Sequence, residues 1–337
     1  MRAGWATIAL WLAMALIPAH ASGVCVPTAG PDSYANRIAA IACQENALWF
    51  GAFIDGDGRL ASTTVAEAET SRLRDASTPA WRRVADYWKG SGLLWQMSGF
   101  AGASECGYSP AADPDQMRVA NASCRAFLID NPWSAVFVSY VMNRAGVPNF
   151  RASASHIDYV RDAYLHPDSS PYTFADPDTT APAPGDLLCF VRASSTPFGY
   201  AGLKAFLDRD QGALNMHCDI AASIDGGKLY LIGGNVLQSV TLRELNLNAG
   251  GQLWALPRRD GAPADCRPGH EQGCSFNRQD WAALLKLKTM VPTTPAPTLT
   301  PVRNCCEVCP LPIPDGMQRC PIAPAASPLP EAPAPAN

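Results

Sequence analysis

Between residues 33 and 53 the apolar residues Ile38, Ile41, Ala42, Leu48, Trp49 and Ala52 recur at helical spacing, which predicts an amphipathic helix. A second stretch of the same period covers residues 80–89, so the chain opens with a helical layer. A Gly- and Ser-rich stretch around Cys106 reads as a loop. Asn131 and Pro132 then suit an N-cap and a first helical residue and predict a third helix. From Asp186 the period shortens to two. Strands are predicted over 187–192, 216–224, 228–232, 239–242 and 252–256. Helices followed by hairpin-connected strands give an α+β fold.

The two ends differ from this middle. Arg2, an apolar run from Trp5 to Ile17, Pro18 and the triplet Ala19, His20, Ala21 have the layout of a cleavable secretory signal over residues 1–21. The run is shorter than the ~18 apolar residues of a membrane anchor, and Val24 stands where a lipidated Cys25 would need a small residue. Residues 22–32 form a short linker, 33–260 the main domain, and 261–290 a Cys-containing loop with a C-terminal helix. Residues 291–337 are dominated by Pro, Ala and Thr and predict a disordered tail. The net charge of -4 argues against nucleic-acid binding.

Export accounts for the 12 cysteines, an even number suited to disulfides. Short loops make Cys106 with Cys124 and Cys266 with Cys274 plausible pairs, and Cys305, Cys306, Cys309 and Cys320 can staple the tail. The tail has no His to complete a zinc site around its CxxC. Asp55-Gly56-Asp57-Gly58 resembles part of a calcium loop, but Phe53 and Thr64 occupy ligand positions, and it reads as a turn. No metal or organic cofactor is implied.

Candidate chemistry concentrates in two segments. Ser134 falls in the first turn of the third helix, where free backbone N–H groups and the helix dipole favour a nucleophile, although a capping serine fits there equally well. On the 216–224 strand His217 and Asp219 alternate away from Cys218, Ile220 and Ala222. The chain returns through Gly226-Gly227 to Gly233-Gly234-Asn235. A three-residue loop sets Asn235 opposite His217, and a two-residue loop does so only with a bulge at Gly233-Gly234. His156 is a further groove candidate or a surface histidine. Trp95, Trp133 and Tyr159 suit either a substrate wall or a buried aromatic core.

Trp133-Ser134-Ala135 leading into a helix, Pro184-Gly185-Asp186 opening a strand, His217 on the next and Gly233-Gly234-Asn235 after the following one resemble the NlpC and CHAP superfamily of bacterial cell-wall amidases and endopeptidases. Within it, the chain resembles most the uncharacterised bacterial family catalogued as domain of unknown function 2272, over roughly residues 33–259. The resemblance implies a papain-like fold, a nucleophile helix on an antiparallel sheet, and hydrolysis of peptide or amide bonds of peptidoglycan in the periplasm or outside the cell. It assigns Ser134 as nucleophile, His217 as base and Asn235 as orienting residue; beside them, Trp133, His156 and Asp219 are the candidate substrate-binding residues. Superfamily enzymes carry Cys where this chain has Ser134, and a serine must lose its proton to the base as it attacks. Three readings stay open: a serine-dependent hydrolase; an inactive relative that binds peptidoglycan or an envelope protein, with the Pro-rich tail as spacer or docking segment; or a disulfide-rich structural protein of the envelope.

Overall fold

A computed structural model describes residues 24–25, 33–67, 69–107, 113–192, 197–209, 212–259 and 266–289. The signal-like segment 1–21, the tail 291–337 and its four cysteines lie outside these described residues. The molecule is α+β. Its helices are α1 (Tyr34–Leu48), α2 (Ala80–Gly90), α3 (Ala103–Gly107), α4 (Pro114–Asp130), α5 (Ser134–Ala145), α6 (His156–Leu165) and α7 (Gly199–Arg209). Its strands are β1 (Ala52–Ile54), β2 (Leu60–Ser62), β3 (Tyr172–Ala175), β4 (Leu187–Val191), β5 (Met216–Asp225), β6 (Lys228–Val236), β7 (Ser239–Asn246) and β8 (Asp280–Leu287). They form one sheet in the order β2-β1-β7-β6-β5-β4-β8-β3.

The sheet is mixed. β1 runs parallel to β7 and every other pairing is antiparallel, a departure from the expected all-antiparallel sheet. One face carries Cys189, Cys218, Ile220, Ile232 and Leu285 in the main core, beneath α1 and α5, with α2 packed on α5. The other face carries Leu188, Phe190, Ala221, Leu231, Trp281 and Leu284, covered by Leu247, Leu253 and Leu256. Alternation along each strand thus feeds two cores, as a period of two requires. α1 is capped by Ser33, whose Oγ accepts from the Asn36 N–H at 3.1 Å.

Four expectations change. The Gly- and Ser-rich stretch contains α3 and the long α4, capped by Asp113, whose carboxylate accepts from the Asp115 N–H at 2.9 Å. Asn131 is therefore not the N-cap of the nucleophile helix. It closes α4, its N–H donating to the Phe127 carbonyl, and α5 starts at Ser134 with Trp133 as N-cap. The C-terminal helix expected within 261–290 is the strand β8, inserted between β4 and β3. Its Ala-Ala-Leu-Leu run favours a helix locally, but burial on both faces favours a strand. Residues 252–256 make only a bridge between Leu247 and Leu253.

Asp55 to Gly58 forms the turn between β1 and β2, where Asp55 accepts from the Arg59 N–H at 2.8 Å. Disulfides join Cys106 to Cys124 and Cys266 to Cys274 as the loop lengths suggested, and also Cys25 to Cys43 and Cys189 to Cys218. The last is a cross-strand bridge between facing residues of β4 and β5. In the Pro184-Gly185-Asp186 motif Gly185 has φ 90° and a Cβ there would lie 2.9 Å from the Ala35 Cα. The Asp186 carboxylate accepts from the N–H groups of Ala183 (2.6 Å) and Leu287 (2.8 Å) and from Lys286 Nζ (2.5 Å). The motif locks β4 to β8.

Candidate active site

The β5–β6 hairpin turns at Gly226-Gly227, both at positive φ, so Asp225 pairs with Lys228 across a two-residue loop. One extra residue in β5, between Ala221 and Ser223, then shifts the register so that Ile220 faces Ile232. This bulge lies on β5 and not at Gly233-Gly234. Those glycines have a different task. A Cβ on Gly233 would lie 1.9 Å from Asp219 Oδ1, and one on Gly234 2.3 Å from the Phe137 Cβ. The glycine pair lets the Asp219 carboxylate and helix α5 both approach the backbone of β6.

Ser134 begins α5 and is 6% exposed. Its Oγ lies 2.8 Å from Nε2 of His156, which begins α6 and is 4% exposed. A clamp from α5 sets this distance. Ser139 Oγ donates to the Ser153 carbonyl at 3.0 Å and accepts from the Ser153 N–H at 3.1 Å. Ser153 Oγ in turn donates to Asp158 and accepts from the Ser155 N–H. The segment before α6 is thereby laid along α5, which brings the two helix N-termini together. On the other side of the ring, His156 Nδ1 is hydrogen-bonded to the Tyr159 hydroxyl, three residues on along the same helix face.

His217 sits elsewhere in the network. Nδ1 accepts from Arg192 Nη2 at 2.8 Å, because a guanidinium only donates. Nε2 therefore carries the proton and donates to Asp219 Oδ1 at 2.7 Å. Both nitrogens are engaged, and the ring, fully buried, stands 5.0 Å centroid to centroid from His156. Asp219 Oδ2 accepts from Arg243 Nε at 3.1 Å. Burial pushes the pKa of both histidines down, and for His156 the neighbouring His217 and Arg192 add to the effect. Asp219 is lowered to about 2, because His217 and Arg243 outweigh its burial.

The expected Ser134–His217–Asn235 grouping is not what these contacts make. Asn235 has left-handed backbone (φ 55°) where β6 shifts register against β7. With its amide turned to the orientation that satisfies both neighbours, its oxygen accepts from the Trp133 N–H at 3.3 Å and its nitrogen donates to Glu67 Oε2 at 3.3 Å. Asn235 thus caps α5 from outside the helix. Glu67 also accepts from the Trp133 indole, and burial raises its pKa.

Trp133 is fully buried among Trp49, Tyr87 and Phe137 and is a core residue, not a groove wall. Tyr159 is buried against His156, and Trp95 is exposed. Asp219 is buried and hydrogen-bonded to His217. The sequence signals for His156 as Ser134's partner are Ser139 and the Ser153-Ala154-Ser155 run. Each is legible only once α5 and α6 are known to pack.

A family model described as "Uncharacterized protein conserved in bacteria (DUF2272)" matches residues 75–287. No curated protein and no solved structure matches the chain. The matched segment begins just before α2 and ends on the last residue of β8, so it carries Ser134, His156, Arg192, His217, Asp219 and Asn235, while α1, β1, β2 and Glu67 precede it. With well over half of its length inside that match, the chain belongs to the DUF2272 family of bacterial proteins.

Proposed function

We propose that this protein is an exported, serine-dependent hydrolase of amide or peptide bonds, of the papain-like cell-wall class, with Ser134 as nucleophile and His156 as general base. The observation that carries the reading is the 2.8 Å contact between Ser134 Oγ and His156 Nε2 at the N-terminus of α5. In the reaction Ser134 Oγ attacks the carbonyl carbon while its proton passes to His156 Nε2. The first N–H groups of α5 have no partner within the helix and can receive the oxyanion. His156 then gives the proton to the departing amine, and water, deprotonated by the same nitrogen, releases the acyl group from Ser134. Keeping His156 neutral at mildly acidic pH preserves the base.

The proposed substrate is peptidoglycan or its stem peptides, in the periplasm or outside the cell. Four disulfides suit an oxidising compartment. Among the described residues no helix is long and apolar enough to cross a membrane.

The near-complete burial of Ser134 and His156 favours a second reading, a polar network that holds α5, α6 and the sheet together in a domain that binds peptidoglycan or an envelope partner. Fluorophosphonate labelling and digestion of purified sacculi separate the two. The hydrolase reading expects labelling at Ser134 and fragment release by the natural protein. Both should vanish in Ser134→Ala and fall about 100-fold or more in His156→Gln. An unlabelled Ser134, with sacculi bound but uncut, would replace the hydrolase by the binding domain.

A further inference from the structure

The charges beside Ser134 do not cancel. Asp219 is committed to His217 and Arg243, and Arg243, itself buried, also donates from Nη1 to Asn277 Oδ1 at 2.9 Å and to the Phe276 carbonyl. That pair is closed and electrically neutral. Arg192 is left over. Among the described residues its guanidinium makes one side-chain hydrogen bond, to His217 Nδ1 at 2.8 Å, and has no carboxylate within ion-pair distance. Arg192 is exposed, whereas Arg243 is not. Its head is held over the Phe190 ring, 5.7 Å from the centroid. A guanidinium has five N–H donors in a planar fork, so Arg192 presents unused donors and a full positive charge beside two uncharged imidazoles.

We propose that Arg192 receives a carboxylate of the substrate, so that the amides cut at Ser134 are those of peptides with a free carboxylate close to the scissile bond. Two imidazole rings separate the guanidinium from Ser134 Oγ through the contacts Arg192–His217, His217–His156 and His156–Ser134. Along those contacts the path is at most about 13 Å, up to about four residues of extended peptide. A carboxylate accepts two parallel N–H bonds from such a fork, which a carboxamide cannot match. Because Arg192 also donates to His217 Nδ1, the anion is held by a group already fixed in place.

The inference deepens the hydrolase reading, and its test does not depend on turnover. Binding of N-acetyl-alanyl-alanine and of its C-terminal carboxamide is measured by calorimetry on the purified chain carrying Ser134→Ala. The acid should bind at least about 10-fold more tightly than the carboxamide, by the strength of a charge-assisted bidentate contact. Arg192→Gln, which can still donate an N–H to His217, should abolish that difference and leave carboxamide binding unchanged. Arg192→Lys should restore part of it. Equal binding of acid and carboxamide, or an acid preference that survives Arg192→Gln, would overturn the proposal. Acid-selective binding with an unlabelled natural Ser134 would remove the hydrolase and keep the carboxylate site. Hydrolysis with no acid preference would do the reverse.

Discussion

At the level of single residues, the proton on His156 decides what Ser134 can do. Among the described residues the Ser134 and Tyr159 hydroxyls have as side-chain partners only the two nitrogens of this ring. A neutral imidazole carries one proton, so it donates at one contact and accepts at the other. If Tyr159 donates to Nδ1, Nε2–H points at Ser134 and the ring is no base. If Nδ1–H donates to Tyr159, Ser134 donates to Nε2 and the pair is competent, but the Tyr159 proton, on a residue 2% exposed, lacks an acceptor. The first tautomer leaves the Ser134 proton, on a residue 6% exposed, without a side-chain acceptor among the described residues in the same way. An unsatisfied buried hydroxyl costs about 1–3 kcal/mol, so each tautomer carries one such cost and Tyr159 competes with Ser134 for the ring. Tyr159→Phe removes that competitor and should raise the fluorophosphonate labelling rate of Ser134 by roughly 3- to 10-fold, the equivalent of about 1 kcal/mol. The imidazole ¹⁵N shifts should report more Nδ1–H. A tenfold fall in labelling instead would make Tyr159 the acceptor that orients the base.

Among the elements, the close approach of α5 to β6 matters most. Gly234 faces the Phe137 Cβ and Gly233 faces Asp219, so the sheet is thinned on both sides at the level of the site. Gly234→Ala places a methyl group against the first carbon of a buried side chain, which cannot swing aside, and α5 must move. A stability loss of about 1–3 kcal/mol is expected from overpacking, together with slower labelling of Ser134 as its contact with His156 lengthens. Gly99→Ala, which meets nothing within 4 Å, is the matched control and should leave both unchanged. Urea unfolding and labelling rates on the two variants check this. A Gly234→Ala protein as stable as the natural one would mean that α5 does not seat on β6 as described.

For the molecule as a whole, the buried histidines tie stability to pH. Both are held below their ordinary pKa by burial. Below about pH 6.5 the unfolded chain therefore binds protons that the native state refuses. With more protons on the unfolded state, stability rises with pH. It is complete above about pH 6.5 and declines below it, by up to about 1.4 kcal/mol per pH unit for each histidine. Asp219, lowered to about 2, adds a later loss as pH falls from its ordinary range toward that value. The urea midpoint should therefore drop between pH 7.5 and 5.5, and His217→Gln should flatten that dependence. A midpoint unchanged over this interval would mean that the histidines titrate as they do in the unfolded chain.

Local chemistry was enough to read the α1 and α2 helices, the β4 to β7 strands, the helix beginning at Ser134 and two of the disulfides. Each depends on a short-range period, a turn or a short loop. The identity of β8 was not legible, because an Ala-Leu run has no intrinsic reason to extend until two cores cover both of its faces. Nor was the partner of Ser134. His217 has a strand, an acidic neighbour and a glycine pair to recommend it, yet Arg192 and Asp219 occupy both of its nitrogens. His156 has no such motif around it and reaches Ser134 because Ser139 binds the Ser153 backbone. A hydrogen bond between segments distant along the chain leaves no periodic trace in either, so only the packing of α5 against the segment before α6 could choose between the two histidines.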